Sequence, residues 1–260
     1  AIPHIGPKTV EALEKDYFCK RADGPYMKGK VWPGECNFPD YTNPEVREWW
    51  AGLFKELISD FGVKGVWNDM NEPAVMEVPG KTFPMDVRHD YDGNPCSHRK
   101  AHNIYGTQMA RATYEGVKQF AYPKRPFIIT RSAYSGAQRY TSSWTGDNVA
   151  SWEHLWIANI QMQRMSISGM GFTGSDIGGF AEQPSGELYA RWIQLGVFHP
   201  FCRTHSSGDH GDQEPWSFDV DVINITRKFV QLRYQLLPYL YTMFWEYIND
   251  GVPMLKPLVY

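Results

Sequence analysis

Asp69, Arg131, Asp147, Asp176 and His205 each stand shortly after a short apolar run, and Glu72 lies three residues beyond Asp69. Carboxyl groups in unlike environments can share the cleavage of a glycosidic bond. One, ionised, attacks the anomeric carbon or activates water, and the other, protonated, donates to the leaving oxygen. Asp69, Glu72, Asp147 and Asp176 are the candidates for those two roles.

Such groups work only if regular elements hold them. Asn43 and Pro44 open a helix as cap and first residue. Its apolar spacing runs from Val46 to Phe61, and Gly62 ends it. Strands are expected at 65–67, 126–130, 140–144, 171–173 and 198–202, with a stub at 2–5. Helices are expected at 98–120, 152–168, 187–196 and 220–249, the last containing Pro238. Trp49, Trp50, Trp152 and Trp156 fall on helical faces and read as core. Strands alternating with helices imply βαβ units and a parallel sheet. Polar residues gathered after the strands point to an α/β fold of the (β/α)8 TIM-barrel type, whose active sites lie at the strand C-termini. Five strands and a stub fall short of eight. The expectation is therefore an incomplete barrel, residues 1–260, whose first two strands are not in this chain, within a longer polypeptide with flanking β domains.

Composition narrows the function. With 42% hydrophobic and 21% charged residues and a formal net charge of -3, nothing points to nucleic acid or an anionic membrane. No apolar run is long enough to span a bilayer. Aromatic residues make up 15%, with ten tryptophans, a composition suited both to a large core and to the C–H faces of sugar rings. Cys19, Cys36, Cys96 and Cys202 form no C-x-x-C pair. Free thiols are the preferred reading, with a Cys19–Cys36 disulfide left open. No cofactor or metal is implied. The compartment stays open, with a lean to an extracytoplasmic one.

The segment Trp67-Asn68-Asp69-Met70-Asn71-Glu72-Pro73 resembles the nucleophile signature of glycoside hydrolase family 31. Five further segments resemble that family in the same order: Val31-Trp32-Pro33-Gly34, Arg131-Ser132, Trp144 with Gly146-Asp147-Asn148, Gly174 to Phe180, and Arg203-Thr204-His205. The resemblance implies a retaining, exo-acting α-glycosidase, an α-glucosidase by its Trp-Asn-Asp-Met-Asn-Glu-Pro form, acting on an oligosaccharide or α-glucoside. It implies Asp69 as nucleophile and Asp147 as general acid/base. It further implies Arg131, Asp176 and His205 as contacts to sugar hydroxyls or to the carboxylates, with Arg203 supporting His205. Trp32, Trp67, Met70, Trp144 and Phe180 are implied as the pocket walls.

Other readings compete. Gly-Asp-Asn is also ordinary turn chemistry. Asp176 stands equally as a helix cap or a ligand contact. Asn71-Glu72-Pro73 also resembles β-glycosidase barrels in which that glutamate is the acid/base, but residues 171–180 supply no second glutamate. His199, His205, Asp209, His210 and Asp212 lie close along the chain but lack the spacing of a metal motif. Asp90 to Asn94 lacks the remaining positions of a calcium loop and reads as a turn. A non-catalytic carbohydrate-binding barrel has no need for paired carboxylates.

Overall fold

The computed structural model describes residues 1–260. The chain divides into two units, Ala1–Thr141 and Ser142–Tyr260.

The first unit begins with β1 (Ile2–Pro3), α1 (Pro7–Glu14), β2 (Lys28–Val31), β3 (Gly34–Asn37) and α2 (Pro44–Gly52). β1, β3 and β2 form an antiparallel sheet, and Trp32-Pro33 is the tip of the β2–β3 hairpin. The Asn43 side chain caps α2 by accepting from Glu45 N–H, as its sequence position predicts. The helix is shorter than its apolar spacing suggests: α2 stops at Gly52 and a separate π-helical turn spans Glu56–Asp60. β4 (Val66–Asn68) follows, then the small ladder of β5 (Arg88–His89) and β6 (Cys96–Ser97), α3 (His98–Ala121) and β7 (Ile128–Thr130). β4 and β7 pair in parallel, Val66 opposite Ile128 and Asn68 opposite Thr130, so β4, α3 and β7 make a βαβ unit. Phe54, Ile58, Val117 and Ile128 pack one core beneath it. A second core joins Phe18, Phe38, Tyr41, Phe83 and Tyr105. Asp90–Asn94 is a turn in which Gly93 N–H bonds the Asp90 carboxylate.

The second unit holds β8 (Ser142–Ser143), α4 (Trp152–Ile167), β9 (Asp176–Ile177), α5 (Gly186–Gly196), β10 (Arg203–Thr204) and α6 (Val220–Asp250). β9 and β10 pair in parallel, Asp176 opposite Arg203, with α5 as crossover. Ser185 caps α5 by accepting from Leu188 N–H. Beyond the helix, the Arg233 guanidinium of α6 donates to the carbonyls of Val197, His199 and Pro200, which satisfies these three acceptors where the chain turns into β10. Ile177, Trp192, Ile193, Met162 and Val222 form this unit's core.

Two expectations are corrected here. The strands foreseen at 171–173 and 198–202 lie further on, at β9 and β10. The apolar runs themselves are joined by bonds such as Phe201 N–H to the Thr173 carbonyl. Asp176 and Arg203 are consequently inside strands, and Asp176 caps no helix. Apolarity marks burial, whereas a ladder needs register, so the two part company in strands this short. Likewise Trp152 and Trp156 are 50% and 67% exposed, because α4 turns Ala158, Met162 and Ser166 inward instead. Trp49 is buried as expected, and Trp50 packs against the core. All four cysteines are free thiols. No helix is long and apolar enough to cross a membrane.

His199 gives this unit an acid-sensitive element. Its ring is 2% exposed with no hydrogen-bond partner at either nitrogen. Burial, reinforced by the Arg233 cation, lowers its pKa to about 3. In the unfolded chain a histidine titrates near ~6.5. Between those values only the unfolded state binds the proton, so stability decreases as the pH is lowered, by roughly 1.4 kcal/mol per pH unit for this group. Denaturant titrations of the full-length protein should show His199→Leu losing less stability than wild type between pH 7 and pH 5, by about 2 kcal/mol. Equal losses would mean that His199 is not held neutral.

Candidate active site

In the first unit Asp69 follows β4 directly, and Arg131 follows β7, its neighbour in the sheet. Arg131 N–H donates to the Asn68 carbonyl at 3.1 Å, which sets the two strand ends side by side. The Arg131 guanidinium then lies 3.2 Å from Asp69 Oδ1 through Nη1. Its remaining edge pairs with Glu72, Nε to Oε1 at 2.8 Å and Nη2 to Oε2 at 3.0 Å. One planar cation thus fixes both carboxylates, a two-sided geometry that lysine cannot supply. Met70 takes a left-handed backbone, φ 56°, so the chain turns sharply immediately after Asp69. Trp67 is 40% exposed and Met70 half-buried. Trp32, at the hairpin tip, is 80% exposed. The hairpin is tied to the loop after Asp69 by Met76 N–H donating to the Lys30 carbonyl.

In the second unit Asp176 is fully buried and bonded by Arg203, Nε and Nη2 each 3.1 Å from Oδ1. The Arg203 guanidinium also lies over the rings of Trp144, itself buried, and Phe201. Arg203 therefore supports Asp176 through a direct ion pair, a partnership that the sequence reading did not foresee. Phe180 and His205 pack ring against ring, centroids 5.3 Å apart. Burial lowers the His205 pKa and Arg203 adds to the effect, while Asp147 pulls the other way. A neutral imidazole can donate at one nitrogen and accept at the other. Asp147 is solvent-exposed on the loop after β8.

Asn148 is the residue here whose role was missed. Its side chain donates to the Asp176 carbonyl at 3.0 Å and accepts from Phe180 N–H at 2.9 Å. It locks the Asp147 loop to the segment carrying Asp176 and Phe180. Its place in the Gly-Asp-Asn triplet was the available signal. Gly178 and Gly179 make that segment possible: both have positive φ, and a Cβ on Gly179 would lie 2.5 Å from Ala150 N.

The side chains from His199 to Asp212 do not act as a unit: His199 is buried against α6, and His210 bonds Ser207 and the Phe180 carbonyl. A ligand-like trio does occur in the first unit, where Cys19, Asp40 and His89 bring donor atoms within 4.8 Å of one another. Its polar groups are satisfied internally. Asp40 accepts from Thr42, Asp90 N–H and His89, and His89 continues to His98 and His102. The network ties the start of α3 to the loop after β3.

The family model for the glycosyl hydrolases family 31 TIM-barrel domain matches residues 2–243. The chain belongs to glycosyl hydrolase family 31. Its fold is accordingly of the (β/α)8 type. Alpha-glucosidase 2 of Bacillus thermoamyloliquefaciens is 46% identical over 96% of this chain and 32% of its own length. Human neutral alpha-glucosidase AB is 39% identical over 98% of this chain and 28% of its own. Among solved structures, a glucosidase II alpha subunit superposes with a TM-score of 0.91 at 38% identity, over 98% of this chain and 28% of that one. A family 31 alpha-glucosidase from Bacteroides thetaiotaomicron gives 0.82 at 40% identity, over 93% and 38%. The family 31 chain described here thus spans about a third or less of the curated relatives it matches.

Proposed function

We propose that this segment supplies the catalytic groups of a retaining, exo-acting α-glucosidase that releases terminal glucose from an oligosaccharide or α-glucoside. The observation that carries the reading is the Asp69–Arg131 ion pair at the ends of adjacent parallel strands, in a family whose relatives named above are α-glucosidases. Asp69 attacks the anomeric carbon, its charge and direction maintained by Arg131. Asp147 protonates the departing oxygen and then deprotonates the water that releases the sugar. Such a double displacement uses carboxyl groups about 5–5.5 Å apart. His205 holds sugar hydroxyls, supported by the ion pair of Arg203 with the buried Asp176. Trp32, Trp67 and Met70 in the first unit and Trp144 and Phe180 in the second offer apolar faces to the sugar. On this reading the segment works within a longer polypeptide carrying flanking β domains. The short share of its relatives that it covers supports the longer polypeptide.

Glu72 favours this reading over the β-glycosidase one. Both its oxygens face Arg131, a placement suited to holding the arginine and not to lending a proton. The full-length protein should hydrolyse p-nitrophenyl α-glucoside and leave the β-glucoside intact, with α-glucose the first anomer seen by NMR. Glu72→Gln, which retains one acceptor for Arg131, should keep activity within roughly tenfold to a hundredfold of wild type. Hydrolysis of the β-glucoside alone, abolished by Glu72→Gln, would reverse the assignment.

A further inference from the structure

We propose that Asn71 is the positioning residue that registers Asp69 against Arg131, an inference that rests on the role assigned to Asp69 above. Asn71 is 2% exposed, and its amide reaches three places at once. Nδ2 donates to Thr130 Oγ1 at 2.8 Å and to the Gly106 carbonyl at 3.3 Å, while Oδ1 accepts from Ser132 N–H at 3.1 Å. Thr130 and Ser132 are the two neighbours of Arg131. A side chain two residues past Asp69 therefore grips the arginine's strand on both sides of the arginine, and joins both to α3.

The position demands an amide. Both a donor and an acceptor are needed within one planar group, and the Gly106 carbonyl cannot donate. The left-handed turn at Met70 is what swings Asn71 inward from the strand end. Gly106 permits the approach of α3, since a Cβ there would stand 2.7 Å from the Asn71 carbonyl oxygen and 2.8 Å from Ser132 Cβ. Removing the clamp deletes no group that would touch substrate but frees Asp69 to drift from its line of attack. A displacement of about an ångström at a reacting group can cost a hundredfold in rate. The loss belongs in kcat, with KM little changed.

Asn71→Asp tests this with almost no change in shape. Ionised, the new carboxylate faces the Gly106 carbonyl with an oxygen where a donor is needed. Protonated, it supplies one. Burial and the adjacent carbonyl raise the pKa of a carboxyl group placed there. In the full-length enzyme, kcat for p-nitrophenyl α-glucoside should fall about 10–100-fold at neutral pH with KM within about threefold. The kcat ratio of variant to wild type should rise as the pH is lowered, which a general loss of folded protein does not produce. Thr130→Val removes one acceptor at nearly constant volume and should lower kcat about 3–10-fold. Its effect should be largely lost in the Asn71→Asp background. A folded Asn71→Asp enzyme with wild-type kcat and a flat pH ratio overturns the proposal. If that variant does not fold, wild-type kcat in Thr130→Val does so. Asp69→Ala run in parallel separates the two ideas: an active Asp69→Ala enzyme removes the nucleophile assignment, whereas an inactive one beside wild-type clamp variants removes only the clamp.

Discussion

Asp69→Ala in the full-length enzyme should lower turnover of an α-glucoside by about 10⁴–10⁶-fold, the range found when a covalent nucleophile is deleted. Glu72 lies three residues on but is paired in two-point fashion with Arg131. Azide should restore part of the activity in an informative way. In Asp69→Ala a small anion entering the vacated face displaces the leaving group directly and gives the β-glucosyl azide. In Asp147→Ala the glycosyl-enzyme still forms on an activated substrate, and azide opens it to the α-azide. Opposite products from the two variants would assign nucleophile and acid/base separately. The same azide anomer from both, or wild-type turnover in Asp69→Ala, would exclude the double displacement drawn above.

The second large effect is structural. Gly174→Ala should destabilise the protein by about 4 kcal/mol or more, a large part of the ~5–15 kcal/mol that holds a domain together. A Cβ on Gly174 would strike the Phe201 carbonyl group, with its carbon 2.8 Å away and its oxygen nearer still. The obstacle is backbone, not a side chain that could rotate aside. The contact lies between the segments leading into β9 and β10, so relief would have to move the strands that present Asp176 and Arg203. Gly52→Ala is the matched control. It sits at the end of α2 with open space around the added methyl, and should stabilise slightly, by up to about 1 kcal/mol. Thermal melting of the two variants beside wild type decides the matter. Similar melting temperatures for all three would show that β9 and β10 shift freely to accommodate the methyl.

These two experiments probe different levels of information. The Asp69 prediction was available from Trp67 to Pro73 and five companion segments in register. The nature of Gly174 as a point of backbone contact was not. Helix starts were equally well marked: Asn43 caps where its spacing predicts, since a cap and its N–H groups lie within three residues of each other. The outward face of Trp152 and Trp156 was not marked, because amphipathic spacing reports that a helix has two faces and not which of them meets the core.

The sequence by itself therefore determined the family, the alternation of strands and helices, and the carboxylates suited to glycoside chemistry. Tertiary structure decided the partnerships: Glu72 with Arg131 across 59 residues, Asp176 with Arg203 across 27, and Asn71 with both neighbours of Arg131. The reason is the range of the interactions. Caps, turns and helical periodicity act between residues a few positions apart and can be read along the chain. An ion pair between parallel strands depends on register, and register is set by the packing of the crossover helices α3 and α5, in which each strand end finds its neighbour only after the whole βαβ unit has closed.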